Sequence, residues 1–269
     1  MLGTDLMSAF SGNDTLWGLD MSEVDITDAG QCHERISSLR PDAIVNAAAL
    51  TAVDYCESHA EEAFRVNGQG AGNLAAVAAS VKALLVHYST DYVFDGLKKE
   101  PYQEEDPPSP RSIYGQSKLR GEELIRAACP DHLILRTAWL FGSNGKNFIG
   151  TILAAARSGQ ALRVVADQRG SPTYTRDLAD CTVRMVQAGC RGLYHVTNSG
   201  ACTWHELAVR AVEWASIPRT SILPVSSQEY PLPAPRPANS VLANTRLVRD
   251  GLPPLRPWQE AVQEYIREM

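Results

Sequence analysis

A tyrosine four residues before a lysine, Tyr114-Gly115-Gln116-Ser117-Lys118, stands 24 residues after Thr90 of Ser89-Thr90-Asp91. These two segments can bring a phenol, an ammonium and a hydroxyl around one reacting carbonyl. Residues i and i+4 of a helix are neighbours on one face, so Tyr114 and Lys118 point the same way. A free phenol has a pKa of about 10 and gives up its proton reluctantly at neutral pH. A nearby ammonium favours the phenolate, so the spacing predicts a Tyr114 phenol lowered toward general acid–base range by Lys118.

Such side chains need a frame. The apolar run Ala83-Leu84-Leu85-Val86-His87-Tyr88 reads as a buried parallel strand that delivers Thr90 and Asp91 at its carboxyl end, where ligands of open α/β sheets bind. Ala43-Ile44-Val45-Asn46-Ala47-Ala48 and Leu133-Ile134-Leu135-Arg136-Thr137 read as further strands, and Leu16-Trp17-Gly18-Leu19-Asp20 as a short one. Helices are predicted from Asp28 (a cap) to Leu39, Glu61 to Ser80 and Pro110 to Ala128. Strands alternating with helices give an α/β fold with a doubly wound parallel sheet over 1–147.

From 148 to 269 the pattern loosens into a smaller, mainly substrate-binding lobe interleaved with the sheet domain. Phe148 to Ser158, Arg176 to Ala188, Trp204 to Trp214 and Trp258 to Glu268 read as helices. Arg163-Val164-Val165 and Leu193 to Val196 read as short strands, and Pro224 to Pro237, with five prolines, as an extended loop.

The chain has 269 residues, 44% hydrophobic, and a formal charge of −6 with no basic block. That composition argues against nucleic acid or an anionic membrane as partner. No apolar run approaches the roughly 20 residues of a membrane span, and no secretory leader is visible. Six scattered cysteines without a CxxC pair read as reduced thiols of a cytoplasmic protein. Thr90 and Asp91 could instead cap the following loop, and Trp139 could be plain core. Asn67 is either a core-bridging amide or an organiser of the active-site strand. Arg169 and Arg236 are either phosphate contacts or lobe-to-lobe ion pairs.

Several segments, in order along the chain, resemble the dTDP-4-dehydrorhamnose reductase family, a branch of the extended short-chain dehydrogenases. They are Val45 to Asp54, His87 to Gly96, Tyr114 to Lys118, Leu135 to Phe141 and Arg236 to Ser240. The resemblance implies a Rossmann-type oxidoreductase of nucleotide-sugar and cell-surface polysaccharide biosynthesis. NADH or NADPH would reduce the C4 ketone of dTDP-4-dehydro-β-L-rhamnose to dTDP-β-L-rhamnose. It assigns Thr90, Tyr114 and Lys118 as catalytic, and Thr90, Asp91 and Trp139 as substrate contacts. Gly3, Asp20, Asp25, Ile26, Ala49, Leu50, Thr51, Tyr88, Tyr114 and Lys118 become cofactor contacts. An acid at Asp20 can accept from both ribose hydroxyls, which leans toward NADH.

Alternatives within this resemblance are a reductase of another dTDP-4-keto sugar and a non-catalytic regulatory subunit of the same fold. A dehydratase is disfavoured, because Thr90-Asp91-Tyr92 lacks the Asp-Glu pair it needs. Some family members form a dimer around Mg²⁺, and Asp5 falls where one carboxylate ligand would stand; a homodimer is therefore an open expectation. The family pattern also places a strand and a glycine turn before Gly3, which matches only the last glycine. Roughly ten residues are expected upstream to complete the pyrophosphate turn.

Overall fold

The computed structural model describes residues 1–12, 14–159, 161–217 and 221–269. The apolar runs become a parallel sheet: β1 (Ala43–Asn46), β2 (Leu84–Thr90), β3 (His132–Thr137) and a fourth strand, Gly192–His195, in that spatial order. Side chains alternate across a strand, and this sorts β2 into two faces. Val86 and Tyr88 enter an apolar core with Leu133, Leu135 and the helix Thr175–Gln187. Leu85 enters the opposite core, beneath the helices Ala29–Leu39, Ala71–Val81 and Ile113–Ala128. Helices on both faces make the sheet the doubly wound layer that the alternating pattern predicts.

Local chemistry sets the helix ends. Asp28 accepts hydrogen bonds from the Gly30 and Gln31 amides, as a cap should. The long alanine-rich helix is present from residue 60 to residue 81, but its middle, Phe64–Gly70, is wound as a π-helix. Such widened turns frequently sit beside functional sites.

Two expectations fail. Leu16 to Asp20 is not a strand: residues 15–20 are irregular, and Trp17 is 47% exposed. A strand persists only where a neighbour pairs its backbone, and among the described residues none pairs with this segment. β1 is correspondingly the sheet's edge, with Ala43, Ile44 and Val45 half-buried while every residue of β2 is buried. Pro224 lies in a strand rather than the loop: Ile222–Val225 runs parallel to Leu162–Val165 in a two-stranded ribbon, whose outer side tolerates proline.

The helices Phe148–Arg157, Trp204–Trp214 and Trp258–Glu268 share a second core with Phe141, Tyr174 and Val164. The proline-rich segment that follows Val225 returns to the sheet domain. Asn239 donates to the Lys98 carbonyl at 2.8 Å, and Arg236 forms a forked pair with Asp54, one arm at 2.7 Å.

Candidate active site

Ser112 caps the helix Ile113–Ala128 by accepting from the Gly115 amide at 3.1 Å. A methyl group on Gly115 would overlap the Tyr92 carbonyl, so only glycine lets the helix start this close to the end of β2. The first turns of the helix therefore carry Tyr114 and Lys118 onto the strand end. The Tyr114 phenol lies close enough to the Thr90 hydroxyl and the Asp91 carboxylate for both to act on its proton. Thr90 in turn donates to Asp91 at 3.0 Å and accepts from the Tyr92 amide. Thr90, Asp91 and Lys118 are buried, whereas Tyr114 keeps part of its surface open. The sequence-predicted phenol, ammonium and hydroxyl do converge.

Their electrostatics differ from the expectation. The Lys118 Nζ donates to the Tyr88 carbonyl at 2.6 Å and lies 3.2 Å from His87 Nε2. Turned that way, its charge does little for the phenol. Burial, together with the Asp91 carboxylate, pushes Tyr114 above its ordinary value, although the nearby Thr90 hydroxyl works the other way. Lys118 itself is pulled down to about 8 by burial, against the attraction of Glu122. Asp91 is pushed up to about 6 by burial, despite the hydrogen bond from Thr90.

Behind the site, Glu122 takes a forked hydrogen-bonded pair from Arg136, both arms at 2.8 Å, and a hydroxyl from Ser89 at 2.6 Å. Ser89 and Arg136 are register partners in β2 and β3, so one carboxylate ties the helix to two strands.

Among the residues expected to meet a cofactor, the turn after β1 carries Ala49, Leu50 and Thr51, with Ala47, Ala48 and Thr51 exposed. Asn67, from the π-helical stretch, accepts from the Leu50 amide at 2.8 Å. It also donates to the Leu50 carbonyl and to Ser117 Oγ, each at 3.0 Å. The amide thus fastens the turn to the Tyr114 helix as a core bridge, with no hydrogen bond to the active-site strand. Gly3, in the helix Leu2–Ala9, faces Ala47 at the end of β1. Asp20 is exposed and accepts from the Ser22 amide and hydroxyl; Asp25 accepts from the Thr27 amide. Ile26 packs on Gly70, and its carbonyl accepts from Asn73. The Tyr88 ring lies in the core with its hydroxyl on Thr182, so only its carbonyl reaches the site.

On the substrate side, Trp139 follows β3 with φ 48°, a strained conformation for a bulky residue. Its indole stacks on Trp204 at 3.4 Å, and Gly170 has no side chain because the indole fills that space. Only one of the two arginines meets a partner among the described residues. Arg236 is a lobe-to-lobe ion pair with Asp54, whereas Arg169 has no carboxylate partner among the described residues and lines a cavity of about 520 Å³ with Lys99 and Asn239. Asp5 accepts from Asn144, and among the described residues no cluster of three metal-ligating side chains includes it. Asp177, Glu264 and Glu268 are taken up by Arg176 and Arg256.

Sequence reading passed over Asn46 and His87, which pair side by side in the parallel register behind Lys118. Strand alternation was the available signal, since His87 shares a face with Ser89.

The whole chain, residues 1–269, matches the family model described as RmlD substrate binding domain. It is 44% identical over 245 residues to the spore coat polysaccharide biosynthesis protein SpsK of Bacillus subtilis, covering 91% of this chain and 86% of the relative. It is 42% identical over 250 residues to dTDP-4-dehydrorhamnose reductase of Burkholderia thailandensis, covering 87% and 84%. The crystal structure of dTDP-4-dehydrorhamnose reductase from Bacillus anthracis, in complex with NADP, superimposes with a TM-score of 0.96 at 35% identity, covering 100% of this chain and 95% of that one. No helix among the described residues is long and apolar enough to cross a membrane.

Proposed function

The chain belongs to the dTDP-4-dehydrorhamnose reductase (RmlD) family, and from that premise we propose that it reduces the C4 ketone of dTDP-4-dehydro-β-L-rhamnose to the alcohol, giving dTDP-β-L-rhamnose. The observation that carries the reading is the convergence of Thr90, Tyr114 and Lys118 at the carboxyl end of β2. In the turn after β1, the exposed positions Ala47, Ala48, Thr51 and Ala52 bear small side chains. Such a surface suits a flat dinucleotide lying against the backbone, and the anthrax relative holds NADP.

A bound nicotinamide supplies the hydride. The work of this chain is then to hold the ketone and move one proton. Tyr114 gives its phenolic proton to the oxygen that becomes the alcohol, and a phenol held above its ordinary value keeps that proton available. Thr90 donates to the same oxygen as negative charge builds on it. Lys118 would hold the nicotinamide ribose. Gly3, Asp20, Asp25, Ile26 and Ala49 to Thr51 line the dinucleotide path, with Tyr88 acting through its carbonyl. Asp91 and Trp139 orient the sugar.

The test is oxidation of NADH and NADPH with a panel of dTDP-4-keto sugars. Tyr114→Phe is expected to cut turnover about 10²- to 10⁴-fold, the usual worth of a positioned acid, with unfolding unchanged. Wild-type turnover in that variant refutes the acid role. The likeness to SpsK favours one second reading, a different dTDP-4-keto sugar as substrate, and the same panel separates the two.

A further inference from the structure

Behind Lys118 runs a line of buried polar groups that the proposed chemistry leaves unused. Asn46 ends β1, His87 lies opposite it in β2, and Lys118 comes down from the helix. Asn46 is 5% exposed, His87 1% and Lys118 2%, so each must be satisfied by protein groups.

Their hydrogen bonds fix the protons. One Asn46 side-chain atom lies 3.0 Å from the Ala48 amide. A backbone N–H can only donate, so this atom is the oxygen, and the NH₂ faces His87 Nδ1 at 3.0 Å. An amide NH₂ also only donates, so Nδ1 accepts and carries no proton. Burial, and then the Lys118 charge, push His87 well below its ordinary value, so the ring is neutral. A neutral imidazole with a bare Nδ1 holds its proton on Nε2, 3.2 Å from Lys118 Nζ. Opposite an ammonium, two donors would stand head to head. Opposite an amine, the Nε2–H meets a lone pair, and the amine still has an N–H for the Tyr88 carbonyl.

We infer that Asn46 and His87 are positioning residues for Lys118: by fixing the Nε2–H tautomer they turn a donor toward Nζ and favour its amine form over the ammonium. The charged and titratable groups around Nζ are few. Tyr114 and Glu122 share its helix, His87 faces it from β2, and Asp91 lies in the turn beyond. Glu122, the one that favours the ammonium, is engaged by Arg136 from β3 and by Arg126. Burial pulls Lys118 in the same direction as the tautomer does. The consequence for turnover rests on the proposed function: Lys118 holds the nicotinamide ribose, so the basic limb of kcat/KM follows its titration.

The test needs no substrate. ¹⁵N NMR of histidine-labelled protein is expected to find His87 protonated on Nε2 and bare on Nδ1 from about pH 6 to about pH 9, a range in which a solvated histidine titrates. In Asn46→Asp the new carboxylate accepts from Nδ1, so the tautomer reverses, and the Lys118 titration, followed at ¹³Cε, rises by about one unit or more. His87→Leu removes the N–H without adding charge and is expected to raise it too. A wild-type Nδ1–H tautomer overturns the inference. So does an unmoved Lys118 in the variants, or a rise in Asn46→Asp alone, which marks a plain charge effect. Should the variants not fold, the wild-type tautomer decides by itself. Failure of every keto sugar to be reduced removes the proposed function and leaves these spectra untouched.

Discussion

Replacing Asn67 by leucine, close in size but without polar atoms, strips three hydrogen bonds from one buried point: two to Leu50 and one to Ser117. A net intramolecular hydrogen bond is worth about 0.5–1.5 kcal/mol, so three give roughly 3 kcal/mol. Leu50 is only half-buried and water can replace part of that, while the leucine gains some apolar burial. A loss of roughly 2 kcal/mol remains, a large share of an ordinary stability of about 5–15 kcal/mol. In urea, at a slope of about 3 kcal/mol/M, the midpoint falls by a little under ~1 M. The functional signature is separate. Freed from Asn67, the turn Ala49 to Thr51 no longer holds its place beside the Tyr114 helix, so KM for NADH rises more than kcat falls. Asn67→Asp, which can still accept from the Leu50 amide, is expected to lie between. A lower midpoint with an unchanged KM would reduce Asn67 to a core bridge; an unchanged midpoint would deny the hydrogen bonds altogether.

Gly170→Ala would drive a methyl into the Trp139 indole; substrate KM is expected to rise with NADH affinity unchanged, and unchanged KM would remove Trp139 from the substrate site. Asp91 is held at about 6 in the folded protein, above the roughly 3.9 of an unfolded chain, so between those values the native state binds more protons. Its contribution therefore falls as pH rises from about 4 to about 6 and stays low above, by about 3 kcal/mol for about two units. Urea unfolding across that range should show wild type losing stability relative to Asp91→Asn, and parallel curves would refute the burial argument.

The sequence by itself determined the sheet and the main side chains of the site. Continuous apolar runs at 84–88 and 133–135 can be satisfied only by burial on both faces, and helical spacing alone sets Tyr114 and Lys118 on one side. Asp28 as a cap and the helix from Trp204 to Trp214 were equally legible, because both are local. What depends on a partner far along the chain was not. Leu16 to Asp20 has the side chains of a strand but, among the described residues, no neighbour to pair with. Arg236 has the charge for a phosphate, yet Asp54 reaches it first. The direction of the Tyr114 shift was likewise decided in three dimensions. Four residues of helix place an ammonium near a phenol, but the Tyr88 carbonyl and the buried His87 determine where that ammonium points and which form it prefers. Spacing fixes which groups can meet; burial and the hydrogen-bond partners brought by the sheet register fix their protons.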